Sequence, residues 1–356
     1  MVSNLPAGKL AHMHMLSISP ILIGIASMSV GCGQGPSQAP QHVILQLDWL
    51  PTSQFVGVLQ AEAQGFFVEE GLSVELRSDP GTQQPVVDLV ARAPGLAFGC
   101  SESSVLLRAR AAGEPVLAVG TMLRSNPIGW LSMAGANITS AGQMRGKRVG
   151  IHLDGVAALY AALAFANVAV TEVDIVYNAS YDLGQVVNGS LDALQGYSIT
   201  DMVELGILTR SGARFASASS EGYKSYDEVL FTTESKARLP GAALGRDRLL
   251  RALRRGWQFA YENQNASAVL IHAHFEPDKS LEYAEASVAA TLQLAMPTGS
   301  HAMASMDRKI WEADMSTLVR YGALSKPVDL AQFLSFAPAT TSSSMPAGES
   351  STIVFY

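Results

Sequence analysis

The chain holds only two cysteines, Cys32 and Cys100, among 356 residues. Two thiols rule out a disulfide scaffold and a four-cysteine metal site, so the fold must be held by its apolar core. Charge is also scarce, at 15% of residues, which is low for a cytosolic surface. Basic charge is the scarcer sign, with 24 Lys and Arg against 31 Asp and Glu and a formal net charge of −7. Nucleic-acid binding draws most of its affinity from basic patches, so this balance speaks against such a partner. After residue 41 no apolar run reaches the roughly 20 residues that a membrane-spanning helix needs. Neither a Gly-x-Ser-x-Gly elbow nor a His-Glu-x-x-His helix is present. The turn Gly150-Ile151-His152-Leu153-Asp154-Gly155 is followed by Val156-Ala157, where a phosphate loop needs Lys and Ser or Thr. What the chain does have is 48% hydrophobic residues, ample for a large core. Its length suits two domains of about 100–200 residues each.

The first 31 residues read as a leader. Lys9 precedes an uncharged run from Met15 to Val30, the length of a signal-peptide apolar region. The run ends Ser29-Val30-Gly31-Cys32, which resembles a bacterial lipobox and makes Cys32 the expected lipidation site. Residues 32–41 then form a Gly-, Pro- and Gln-rich tether. Losing the leader removes one cation, Lys9, and takes the charge from −7 to −8.

The rest alternates strand and helix. Strands are predicted over residues 42–49, 72–77, 96–100 and 115–122, with helices over 54–65, 85–93 and 103–112, the last closed by Gly113. A second series follows, with strands over 147–152, 174–177, 191–197 and 213–218 and helices over 156–168, 182–188 and 201–209. Residues 227–232 form a further strand that returns the chain to its first half. From residue 246 onward the pattern is helical: 246–275, 281–295, 307–321 and 328–333. Such alternation implies an α/β protein whose mostly parallel sheets are flanked by helices. The order predicts two lobes joined by a hinge of two crossings. Lobe one is expected at 42–125 plus 230–336 and lobe two at 126–229, followed by a disordered Ser/Thr/Pro-rich tail over 337–356. Ligands in such sheets sit outside the carboxyl ends of the strands.

Three segments carry a family resemblance: Leu47-Asp48-Trp49-Leu50-Pro51 with Gly57, Ala61, Gly65-Phe66-Phe67 and Gly71-Leu72; Gly113-Glu114-Pro115-Val116; and Gly146-Lys147-Arg148-Val149-Gly150. Together they resemble ABC-transporter solute-binding proteins of the thiamine-pyrimidine, riboflavin, sulfonate and nitrate group. The resemblance implies a type II periplasmic-binding-protein fold, capture of a small solute outside the cytoplasm and delivery to an ABC permease. It implies no catalysis, no cofactor and no metal, and a monomer. The chain departs from the pyrimidine-binding branch where Thr52 replaces an Asn, Phe55 a His, Leu59 a Tyr and Ala97 an Asp.

The candidate ligand-binding residues are Asp48, Trp49, Gln54, Phe55, Ser101, Glu102, Asn126, His152, Asp154 and Tyr197. Asp48 ends the first strand; it either accepts ligand N–H groups or caps the following helix. Trp49 either stacks on a planar ring or packs in the core. Ser101 and Glu102 open a helix after a strand, where Ser101 serves a polar ligand or a plain cap. Asn126 lies at the first crossing as hinge, ligand contact or turn. His152 and Asp154 follow a strand of lobe two, and Tyr197 ends another as a second aromatic wall. His272, His274 and Glu276 lack a third strong metal ligand and read as surface. Arg246, Arg248, Arg251, Arg254 and Arg255 form a basic helix face. The expected ligand is small, planar and heteroaromatic, such as a thiamine-precursor pyrimidine. The alternatives are a sulfonate, nitrate or riboflavin, or an enzyme of the pyrimidine-synthase kind on the same scaffold.

Overall fold

Val43 and Leu45 point to one face of the first strand and Ile44 to the other, and both faces are buried. This is the mark of a strand covered by helices on both sides. The computed structural model describes residues 39–78, 85–152, 155–210, 212–299 and 305–338. The leader, Cys32, most of the tether, Asp154 and nearly all of the tail lie outside them.

In chain order the strands are β1 (Gln41–Gln46), β2 (Leu72–Arg77), β3 (Leu96–Ser101), β4 (Val116–Leu123) and β5 (Ile128–Met133). They continue as β6 (Arg148–Ile151), β7 (Asp174–Tyr177), β8 (Ala193–Tyr197), β9 (Ala213–Ser217) and β10 (Asp227–Thr233). The helices begin with α1 (Val56–Ala63), α2 (Phe66–Glu69), α3 (Val86–Arg92), α4 (Ser103–Ala112), α5 (Val156–Phe165), α6 (Gly184–Val187) and α7 (Asp201–Thr209). They end with α8 (Glu234–Ala237), α9 (Ala242–Glu262), α10 (Gln264–His274), α11 (Leu281–Ala295), α12 (Arg308–Arg320) and α13 (Leu330–Phe333).

Two five-stranded sheets result, ordered β2-β1-β3-β10-β4 and β7-β6-β8-β5-β9. Each is mixed, because β10 and β5 run antiparallel to both of their neighbours. The two orders are the same pattern repeated, and the reversed strand is in each case the one entered from a crossing. Residues 227–229 pair in the first sheet, so the return comes before position 230. The helix expected over 246–275 is two helices, broken where Asn263 leaves the helical region at φ −130° and ψ 52°. β5 lies outside the predicted strands, because its Ile-Gly-Trp-Leu-Ser-Met run alternates poorly and follows Pro127.

α9 shows why the long helices lie where they do. Leu249, Leu250, Leu253, Trp257 and Ala260 recur at helical spacing and are all buried. Three of the five arginines on the opposite face are engaged. Arg251 meets Glu70 at 2.9 Å, Arg255 pairs with Glu69 and covers the Phe66 ring at 4.1 Å, and Arg246 reaches the Phe336 carbonyl at 2.8 Å. Trp257 also fills the space above Gly57, so α1 and α9 touch closely. Among the described residues no helix is long and apolar enough to cross a membrane.

Candidate functional site

Parallel strands deliver their carboxyl ends to one edge, and an antiparallel strand delivers its amino end there. Asp48 therefore follows β1, Ser101 and Glu102 close β3, and Asp227 and Glu228 open β10. Three adjacent strands place these polar side chains side by side. From the second sheet, His152 follows β6 and Tyr197 ends β8. The two edges meet. The Tyr197 hydroxyl donates to the Glu102 carboxylate across the lobes. Lys279 pairs with Glu204 at 2.7 Å, and the Ser287 hydroxyl donates to the Ile199 carbonyl. Both members of the Lys279–Glu204 pair are over one-third exposed, so it contributes no more than about 1 kcal/mol.

Asp48 does not cap a helix. Its carboxyl faces the Ser101 hydroxyl and Glu228, and its Oδ1 is buried with no hydrogen-bond partner. Burial, and then the charge of Glu102, raise its pKa to about 7. Glu228 is wholly buried and holds a left-handed backbone at φ 46°, which is strained for a residue with a Cβ. Its Oε1 accepts the Gln54 amide, and its Oε2 has no hydrogen-bond partner. Burial, then the charges of Asp48 and Asp227, push the Glu228 carboxyl well above the usual carboxylate range. Asp227 accepts the Glu228 N–H at 2.8 Å through Oδ1 and leaves Oδ2 unpaired; burial, then Glu102 and Asp48, raise it too. Acids this close do not all ionise together. The row therefore offers both donors and acceptors, and it favours a ligand that brings N–H groups or positive charge.

His152 donates from Nδ1 to the Ala179 carbonyl at 2.9 Å, because a carbonyl can only accept. Its Nε2 is buried without a hydrogen-bond partner. Tyr181 stacks on the ring at 3.9 Å between centroids, and the His152 N–H donates to Gln195 at 2.9 Å. Trp49 is not in the core: it is 53% exposed beside the exposed Leu50. Phe55 is wholly buried in the core of lobe one, on a segment packed against α11, so it supports the lobe and presents no surface to a ligand. Asn126 closes an Asx turn by accepting the Ile128 N–H at 2.9 Å, and its own N–H donates to the Ser225 carbonyl at 3.2 Å. It thereby ties one crossing to the other. Two surface recesses, of about 270 and 400 Å³, lie elsewhere, one between α5 and α12 and one beside α6.

Sequence reasoning missed Asp227, Glu228, Cys100, Gln195 and Tyr181. The signal available for the first two was an acidic pair opening the apolar run Val229-Leu230-Phe231, a costly place to bury carboxyls. Asp314 was missed as well. It is wholly buried on α12, accepts the Ser103 hydroxyl, and is raised to about 7 by burial against the opposing Ser103 hydrogen bond.

Two α/β sheets joined by two crossings, with their strand ends facing, define the periplasmic-binding-protein architecture. The E. coli periplasmic aliphatic sulphonate binding protein SsuA shares this fold with a TM-score of 0.66 at 15% identity, over 83% of this chain and 97% of that one. The chain belongs to the NMT1/THI5-like family, whose model matches residues 52–267. It is 26% identical over 303 residues to the formylaminopyrimidine-binding protein of Halalkalibacterium halodurans, covering 82% of this chain and 88% of that protein. It is 28% identical over 175 residues to the riboflavin-binding protein RibY of Chloroflexus aurantiacus, covering 46% of this chain and 48% of RibY. The chain thus spans about half the length of RibY. Other relatives are named as pyrimidine phosphate synthases.

Proposed function

We propose that the protein is the solute-capturing component of an ABC importer, held outside the cytoplasm by a lipid on Cys32. Its ligand is one small planar heteroaromatic molecule bearing N–H groups, of the thiamine-precursor pyrimidine class, bound between the lobes. The observation that carries this reading is the row of carboxyls at the first sheet's edge with an exposed indole beside it. The carboxyls match N–H donors, and Trp49 offers a face for a ring. A sulfonate or nitrate would bring a second negative charge to that edge, so the acid row opposes the anionic alternatives. The formylaminopyrimidine-binding relative supports the same choice.

The lobes touch through the Tyr197–Glu102, Lys279–Glu204 and Ser287–Ile199 contacts and through Ile199, which is buried in the core of lobe one. A solute that replaces the Tyr197–Glu102 hydrogen bond and contacts both edges favours the closed form by its differential affinity for that form. The permease then reads closure. Relatives named as synthases keep an enzyme reading as the second candidate.

Thermal shift with an aminopyrimidine, riboflavin and an alkanesulfonate tests the proposal. The aminopyrimidine is expected to raise the melting temperature, and Trp49→Ala is expected to weaken binding roughly tenfold or more through lost stacking. Silence across the whole panel at millimolar concentration would refute it. Turnover of any of them would favour the enzyme.

A further inference from the structure

We propose that Asp48, Cys100 and Glu228 form a site for a divalent cation of the zinc class, set into the floor of the cleft. One ligand atom from each of the three lies within 4.8 Å of the other two. For three atoms so spaced, some point lies no farther than about 2.8 Å (4.8 Å divided by √3) from all of them. Zinc sits at about 2.0–2.2 Å from carboxylate oxygen and about 2.3 Å from thiolate sulfur. A contraction of at most about 0.8 Å for an oxygen and about 0.5 Å for the sulfur therefore reaches bonding distance.

A second observation points to the same spot. Glu228 is wholly buried, and neither its Oε2 nor the buried Oδ1 of Asp48 receives a hydrogen bond from a fixed N–H or O–H donor; beyond Gln54 and Ser101, the two carboxyls and the Cys100 thiol face one another. Buried carboxylate oxygens are ordinarily satisfied. The strongest charged neighbours of these two groups, apart from one another, are Glu102 and Asp227, both acids. No cationic side chain among these neighbours does what a metal ion would do.

The donor set selects the metal. A sulfur with two carboxylate oxygens suits zinc, or cobalt as its spectroscopic stand-in, better than magnesium or calcium, which take oxygen alone. Three protein ligands leave a position for water or for a donor atom of a captured solute. The ligands come from positions 48, 100 and 228, so no short spacing announces them in the chain. Two of them lie in β3 and β10, which pair side by side, and the third follows β1, the other neighbour of β3.

The test is a cobalt(II) titration of the purified full chain carrying Cys32→Ser, so that Cys100 is the single thiol. One equivalent is expected to bind with a sulfur-to-cobalt charge-transfer band, and excess zinc is expected to abolish the band. Cys100→Ser should remove the band, and Glu228→Gln should weaken binding at least tenfold. Cys100→Ala is made alongside, and each variant is compared only if its circular dichroism matches the parent. His272→Ala with His274→Ala should leave the titration unchanged. Cobalt that binds without a thiolate band, or binds equally to the Cys100 variants, overturns the proposal, as does no binding at all. Stabilisation of metal-free protein by an aminopyrimidine is measured separately, so either result can fail without the other.

Discussion

Replacing Asp314 with Asn is expected to leave stability unchanged near pH 4 and to raise it by up to about 4 kcal/mol near pH 8. Burial lifts this carboxyl from 3.8 to about 7 in the folded protein. A raised folded-state value means that the neutral form is the one the fold accepts. Its contribution is intact below about pH 4, fades as pH climbs to about 7, and stays lost above that. The amide has no charge to lose and so is spared this decline. It also keeps an oxygen that accepts the Ser103 hydroxyl. The other groups facing Asp314 are Tyr223, which donates to it, Glu102, which raises it, and Arg108, which lowers it. Denaturant unfolding of both proteins from about pH 4 to 9 reads the difference directly. A gap between the two that stays constant with pH would show that Asp314 does not titrate in this range.

Gly256→Ala is expected to be strongly destabilising for a single added methyl. A Cβ at this position would lie 2.1 Å from the Gly57 carbonyl oxygen and 2.7 Å from both the Ala61 N and Cβ. None of these is the loose end of a flexible side chain, so α1 and α9 must separate. Gly57 makes the contact reciprocal, since a Cβ there would lie 2.1 Å from the Trp257 ring. Overpacking of this kind costs about 1–3 kcal/mol, for a loss of roughly 2–5 °C in melting temperature in a chain of this length. Because α1 follows the Asp48–Gln54 loop, its displacement should also weaken solute binding. A variant that melts with the parent would show that the helices are less tightly apposed.

The parts of the fold legible in the chain were those in which one element carries its own pattern. Ser103–Ala112 ends at Gly113 with φ 103°, and the Gly-Lys-Arg-Val-Gly segment leads into β6 as expected. Strand ends named Asp48, Ser101, Glu102, His152 and Tyr197, because a parallel strand announces its carboxyl end by the turn that follows. Asp227 and Glu228 escaped because β10 is reversed and brings its beginning to the same edge. Nothing in seven residues of strand reveals direction; only the neighbours decide it. Cys100 was counted as a lone thiol, since its companions come from β1 and β10. The burial of Phe55 is hidden for the same reason: the segment that carries it packs against α11, more than 200 residues away in the chain.

The chain leaves lobe one and re-enters it at points so close that the Asn126 amide reaches the Ser225 carbonyl at 3.2 Å. Every strand of the second sheet lies between them, from Ile128 to Ser217. The intervening hundred-odd residues therefore form an insertion whose two ends are already adjacent, so lobe one is interrupted at a point that a short peptide would span.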